Sequence, residues 1–445
     1  MFKQVLKHIH QFSLAYLIGF AIILRLILLF GYQGYSLFPD SSGYIELADY
    51  LSGLNLDNYP GKRTPGYPAL IALLGGNLKL ITLVQMLFGV LNTYLLYQLI
   101  LLKTSHKPLA FWTSVFFTSL LHVQFFEVVI LTETLTLTLV LLVFWMIKKH
   151  NIFNATISLT HLIVLSTLLG YCYLVRPMFI YLPLWFSMVY MYKNIRVNYK
   201  KAFVKSILVL TLPILTFYSW SSLNEKNIGV FGSTYFMGIN LTQNATSFFE
   251  KAPNKDALIR DIFVKHRDSI VRYGKTREYP MSIWFAYDEL LEKTQLQPHE
   301  LSAELGRISK NLFLEHPTLY LKQVGVSWRL FWGDSVLWKP NQLKSTLLKK
   351  VYMGSWEYFQ KWISLLLKIV FLLISIKHIY VFIKNGLKVF DFELFIISTI
   401  LLGSFAQALV TFGSNARFSF PYLPLIIYIV AINIKPYLKR YVEHP

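Results

Sequence analysis

The chain has 445 residues, of which 55% are hydrophobic, 16% aromatic and only 15% charged. Soluble globular domains carry about 25% charged residues, so this composition excludes an ordinary soluble enzyme, and its aromatic content excludes a disordered chain. The net charge of +20 would suit a nucleic-acid binder, but much of the excess lies in short loops between apolar segments, where membrane topology accounts for it. With a mean hydropathy of +0.47, the chain reads as an all-α polytopic membrane protein. The single cysteine, Cys172, excludes an intramolecular disulfide and a cysteine-based metal site, and its apolar surroundings suggest packing.

A spanning helix needs about 20 apolar residues. Ten segments meet or approach this: 12–31, 80–102, 108–126, 128–147, 157–175, 177–192, 202–220, 359–376, 392–412 and 418–434. The first has no small-residue cleavage site and reads as a span, not a signal peptide. One set of loops holds Lys3 and Lys7, Lys103 and Lys107, Lys148 and Lys149, the basic run Lys193 to Lys205, Lys377 to Lys388, and Lys435 to Arg440. The positive-inside rule puts that set, and both termini, in the cytoplasm. Two longer segments then lie outside. Residues 32–79 contain a short apolar stretch, 65–75, that is re-entrant or interfacial, and 221–358 form an extracytoplasmic domain. Helical spacing of apolar residues predicts helices over 256–267, 282–293 and 298–314 in that domain. The expected organisation is an N-terminal transmembrane module (1–220), the extracytoplasmic domain (221–358) and C-terminal transmembrane helices (359–445).

The first outer loop carries the chemistry. Pro39-Asp40-Ser41-Ser42 reads as a helix start with Asp40 or Ser41 as cap, and three-and-four spacing puts Asp40, Tyr44 and Leu47 on one face. A rigid turn follows, Tyr59-Pro60-Gly61-Lys62-Arg63-Thr64-Pro65-Gly66-Tyr67-Pro68, presenting two cations near the headgroup layer. These could contact lipid phosphates in general or grip one phosphate, for which the fork of an arginine is suited. Arg25 lies inside the first span, where a charge needs a function or a carboxylate partner. Glu127, Glu133, Arg176 and Arg417 fall near outer ends of spans, so they can meet Asp40 and Arg63 at one depth. In the large domain, His316 precedes an aromatic stripe, Trp328-Arg329-Leu330-Phe331-Trp332, which is an interfacial anchor or a platform for sugar rings. Asn154, Asn240 and Asn244 begin Asn-x-Ser/Thr triplets, the first on the cytoplasmic side of this topology.

An Arg in the first span, Asp40-x-x-x-Tyr44-x-x-x-Ala48 beyond it, and Arg63-Thr64-Pro65-Gly66-Tyr67-Pro68 together resemble the GT-C superfamily. The branch is that of protein O-mannosyltransferases, lipid A aminoarabinose transferases and bacterial polysaccharide-modifying relatives. Thr132-Glu133-Thr134, Val175-Arg176-Pro177, His316-Pro317-Thr318-Leu319-Tyr320-Leu321 and Ala416-Arg417-Phe418-Ser419-Phe420-Pro421 extend the resemblance in family order. It departs at Ser41, where mannosyltransferases have a second acid, and at Lys62, where aminoarabinose transferases have a Glu.

The resemblance implies a GT-C-like fold and a polyprenyl-phosphate sugar donor. It implies an acceptor (glycan, lipid or protein) on the outer face, commonly of a bacterial inner membrane. Asp40 would be the base or acceptor-orienting group, with Glu133 beside it. Arg63, with Lys62, Arg176 and Arg417, would hold the donor phosphate, and Tyr44, Tyr67, Glu127, Arg329 and His316 would support either substrate. Displacing phosphate from an anomeric carbon in one step inverts that carbon. The base takes the acceptor proton, and cations steady the leaving phosphate. No nucleotide-binding loop is required, and the sequence has no phosphate-binding Gly-x-x-x-x-Gly-Lys; a divalent metal at Asp40 stays open, since hard cations favour carboxylate oxygens. A polysaccharide polymerase or ligase would instead centre on Arg329 and His316. A transporter would need polar residues or broken helices at the bilayer midplane, and the sequence offers chiefly Arg25.

Overall fold

The computed structural model describes residues 13–442 apart from 155, 335 and 414. Lys3, Lys7, the start of the first expected span and the last three residues therefore lie outside the described residues. Among the described residues the fold is all-α. Extended pairing is limited to two isolated bridges, Tyr32 with Leu343 and Ser36 with Val129.

Among the described residues, six helical segments are long and apolar enough to cross a membrane: Leu14–Gly31, Leu78–Thr104, Pro177–Ile228, Thr346–Lys384, Phe392–Val410 and Ala416–Ile434. Lys107–Ser119 and Leu121–Glu127 add a seventh if the pair, bent by 59°, is one span. All ten expected segments fall on helices, but several differ in length from a simple span. Residues 128–132 are not helical, because Ser36 takes up their backbone. Ser36 N–H donates to Val128 O at 2.8 Å, and Ile130 N–H donates to Ser36 O at 3.1 Å. The following helix, Glu133–Lys149, is thus 17 residues long and carries Glu133 in its first turn.

The expected sixth and seventh spans are the two arms of one helical run that breaks at Asn198, where the backbone is extended (φ −160°, ψ 97°). Ser187 and Ser206 are 19 residues apart, which in a straight helix would separate them by about 28 Å. Their side chains instead bond each other's carbonyls at 3.2 and 3.4 Å, so the arms pack side by side as a hairpin. The bend after Ser119 would strand backbone groups in an apolar setting. Gln360 meets them, accepting from Leu121 N–H at 2.6 Å and donating to Ser119 O at 3.3 Å.

The two largest apolar cores among the described residues follow from this arrangement. The larger joins the membrane helices, including Leu95, Phe117, Phe144, Leu165, Phe395 and Ile426. Free Cys172 is buried in it. A separate core, from Tyr235 to Leu312, holds the inserted helical region together. Its helices are Ala257–Arg272, Ser282–Thr294 and Pro298–Glu315, with Pro298 in the first turn, where its missing N–H costs nothing. The expected boundary at 220 falls inside a helix that continues to Ile228. Residues 336–356 pack back on the end of the first span and on the helix Leu121–Glu127, through Trp338, Leu343 and Trp356 with Leu28, Tyr32 and Phe125.

Candidate functional site

The first-loop helix is Pro39–Ser52. The expected cap, Asp40 or Ser41, gives way to Phe38 at that position, and Ser41 does other work. Its hydroxyl accepts from Phe38 N–H at 3.0 Å and donates to Ile130 O at 2.8 Å. Asp40 is left in the first turn, where the helix dipole favours an anion, with its carboxylate free to face other partners. The following turn is set from below by Tyr59, which is fully buried. Its phenol accepts from Arg63 N–H at 2.5 Å and donates to Arg63 O at 3.1 Å. Gly66 then packs so closely on Leu174 and Val175 that a Cβ would lie 2.5 Å from their backbone atoms. That approach brings Arg63 beside the segment that carries Arg176.

Five charged side chains interlock there. Asp40 accepts from Arg63 at 2.9 Å with one oxygen and from Arg417 at 2.9 Å with the other. Arg417 also donates to Glu133 through Nε at 2.9 Å and pairs with it through Nη2 at 2.8 Å. Arg176 stands 3.5 Å from the same Glu133 oxygen, with its guanidinium 4.7 Å from the Phe418 ring. Three guanidiniums thus meet two carboxylates, leaving one positive charge in surplus. Hydrogen-bonding capacity is in surplus too: Arg63 Nε, Arg176 Nη1 and Glu133 Oε2 are buried without a hydrogen-bond partner. Glu133 is fully buried, while the Asp40 side chain is 37% exposed. Burial raises the Asp40 carboxyl, but Arg417 and Arg63 outweigh it and hold the group at about 2.

The cluster forms one end of a cavity of about 810 Å³. Asp40, Tyr44, Arg63, Arg176 and Arg417 line it, whereas Glu133 lies behind the wall. Phe217, Phe231, Met178, Ile180 and Val410 give it an apolar flank; Tyr235, Phe236, Trp284 and Lys310 of the inserted region close the other side. Phe236 touches the cluster directly, with the Arg63 guanidinium 5.2 Å from its ring and 4.8 Å from that of Tyr44. Tyr67 supports from behind, edge-on to Tyr44 at 5.4 Å and donating to Gln85 at 2.8 Å.

The remaining candidates lie elsewhere. Lys62 pairs with Glu46 at 2.9 Å and is not a cavity wall. Glu127 is not beside Asp40, since it neutralises Arg25 at 2.6 Å in a buried pair. His316 and Arg329 do not line the cavity; His316 marks the joint between Pro298–Glu315 and Pro317–Phe331, and Arg329 is exposed. A metal does not fit the donors at Asp40, because both oxygens already accept from guanidiniums. Among the described residues no group of three or more His, Cys, Asp or Glu could hold an ion.

Other contributors escape sequence reasoning. Tyr235 and Phe236, in the turn before the helix Met237–Ala245, and Trp284 and Lys310, on amphipathic helices, carry no motif. Lys368 left a signal, a charge within an apolar run. It is 3% exposed and donates to Gly333 O at 2.5 Å, Asp334 at 2.7 Å and Ser419 Oγ at 3.0 Å. Ser419 belongs to the same short helix as Arg417, Ala416–Ser419, so the buried ammonium pins the turn that presents Arg417. Of the three glycosylation-type triplets, Asn244 is fully buried and bonded to Ala408 O and Ser327, while Asn240 lines the cavity.

No protein-family model matches the chain, and no curated protein matches it. Among solved structures, the chain is similar to the archaeal oligosaccharyltransferase AglB from Archaeoglobus fulgidus, in complex with an inhibitory peptide and a dolichol-phosphate. The similarity covers 97% of this chain and 52% of that one, at 11% identity and a TM-score of 0.46. The chain spans about half the length of that protein.

Proposed function

We propose that this is an integral membrane glycosyltransferase, moving a sugar from a polyprenyl-phosphate donor to an extracytoplasmic acceptor with inversion. The observation that carries this reading is Asp40 clasped between Arg63 and Arg417 at the cavity wall, in a cluster with one uncompensated positive charge. A phosphodiester supplies the missing charge, and its oxygens answer the idle Arg63 Nε and Arg176 Nη1. The apolar flank from Met178 to Val410 suits a prenyl chain.

In the resting state Asp40, held at about 2, is a weak base. Donor phosphate competes for Arg63 and Arg417, which loosens their hold and raises the proton affinity of Asp40. The carboxylate then accepts the proton of an acceptor hydroxyl while that oxygen bonds to the anomeric carbon. The bond from that carbon to the phosphate oxygen breaks, and its electron pair leaves on polyprenyl phosphate, stabilised by Arg63 and Arg176. Glu133 stays ion-paired and orients Arg417 and Arg176.

The test uses the purified full chain in detergent with a panel of polyprenyl-phosphate sugars, following release of free polyprenyl phosphate. Wild type turns over at least one donor. Asp40→Asn keeps donor binding and loses turnover, and Arg63→Ala loses donor binding. An Asp40→Asn protein as active as wild type removes Asp40 from the mechanism.

A further inference from the structure

The surplus charge of the arginine cluster is matched by one donor phosphate, yet the cavity wall carries a further cation. Helix Pro298–Glu315 turns one face to the cavity through His299, Ser302, Ala303, Gly306 and Lys310, whose spacing keeps them on a single stripe. The stripe runs about 16 Å, and its middle is small side chains. Gly306 is locked against Gly238, whose Cα lies 3.0 Å from where a Cβ would stand, so this wall is rigid. At one end Lys310 is exposed and has no carboxylate within ion-pairing distance among the described residues. Its own helix offers none: the positions three and four residues away are Gly306, Arg307, Phe313 and Leu314. Nearby acids are engaged, Glu304 and Asp256 with Arg307, and Glu300 with the Gln297 N–H.

An aromatic path joins this wall to the reacting end. The Arg63 guanidinium lies 5.2 Å from the Phe236 ring, and Phe236 meets Trp284 edge-on at 5.7 Å. Trp284 lines the cavity with 41% of its surface exposed, a flat apolar face of the kind on which sugar rings stack. We propose that Trp284 and the His299–Lys310 face form an acceptor subsite for a saccharide that carries its own negative charge, which Lys310 pairs. This rests on the glycosyltransferase reading for its role, but its binding can be measured apart from it. A uronate carboxylate and a sugar phosphate supply the same charge-assisted hydrogen bonds to an ammonium.

Calorimetry on the full chain in detergent separates them with three probes: neutral maltotetraose, tetragalacturonate and singly phosphorylated maltotetraose. At least one anionic probe is expected to bind roughly tenfold more tightly than the neutral one. Lys310→Gln removes that preference, Lys310→Arg retains it, Trp284→Ala weakens all binding, and Lys322→Gln, on a different exposed face, changes nothing. Which anionic probe wins identifies the source of the charge. Equal affinity for neutral and anionic probes, an unchanged preference in Lys310→Gln, or no binding of any saccharide overturns the proposal. Undecaprenyl phosphate titrated into the same preparations reports on the other end of the cavity. If it fails to bind wild type, the donor reading falls, while the saccharide titrations still decide the subsite.

Discussion

Two buried charge groups sit near the same ends of the helices and are built on opposite plans. Arg25 and Glu127 are matched one to one, 4% and 1% exposed, and their hydrogen bonds are filled. Arg25 reaches both Glu127 oxygens, Ala21 O and the Thr118 hydroxyl. Asp40, Glu133, Arg63, Arg176 and Arg417 are unmatched and keep buried polar atoms idle, and all but Glu133 line a cavity. The first group is a staple whose charges serve each other. The second, in the function proposed above, is completed by the donor phosphate. Counting charges and idle atoms separates the two roles, where the mere presence of an arginine near a membrane does not.

The largest test of that contrast is Asp40→Asn, which should lower turnover by about 10²- to 10⁴-fold in a donor-hydrolysis or transfer assay while the protein stays folded. Arg25→Leu should do the reverse. A lone buried carboxylate remains, so stability falls by about 3–5 kcal/mol in detergent unfolding, while activity per folded molecule is kept. Arg25→Leu combined with Glu127→Leu should recover most of that loss; failure to recover would mean the pair does more than staple. Gly89→Ala drives a methyl into Glu127 and Arg25, for a cost of about 1–3 kcal/mol, because Gly89 is where the helix Leu78–Thr104 passes the pair. The smallest effect is the pH response. Asp40 sits below its ordinary 3.8, so its contribution to stability is complete above about 4 and is lost as pH falls towards about 2. Wild type should therefore be the more stable above that window, and its stability–pH curve and that of Asp40→Asn should converge as pH falls through it. In Arg63→Ala the Asp40 carboxyl rises, and the stability lost across the window shrinks.

Much of this contrast was legible in the residues. Asp40, Arg63, Arg176, Arg417 and Glu133 stand out because each is a charge at the end of an apolar run or in a Pro-rich turn, and topology alone gives them one depth. Glu127 met the same criterion and went elsewhere, since depth does not fix the direction around a helix bundle. The count of spans was blurred by backbone events that hydropathy does not see: the hairpin at Asn198, the 59° bend beyond Ser119, and the Ser36 pairing that unwinds 128–132. The far wall was invisible. Trp284 and Lys310 belong to helices whose patterns specify burial against the Tyr235–Leu312 core, Phe236 caps another, and nothing local says which exposed face will meet the membrane module.

Asp40 and Arg417 bond to each other across 377 residues of sequence. A ribosome delivers Asp40 long before it delivers Arg417, and until the turn pinned by Lys368 is in place Asp40 has only one of its two cations. The proposed phosphate site is therefore assembled last, after the helices flanking the cavity have been made. A nascent or truncated chain lacking residues 416–434 should insert its early helices normally and yet bind no donor, so that substrate is engaged only by a molecule whose membrane helices are all in place.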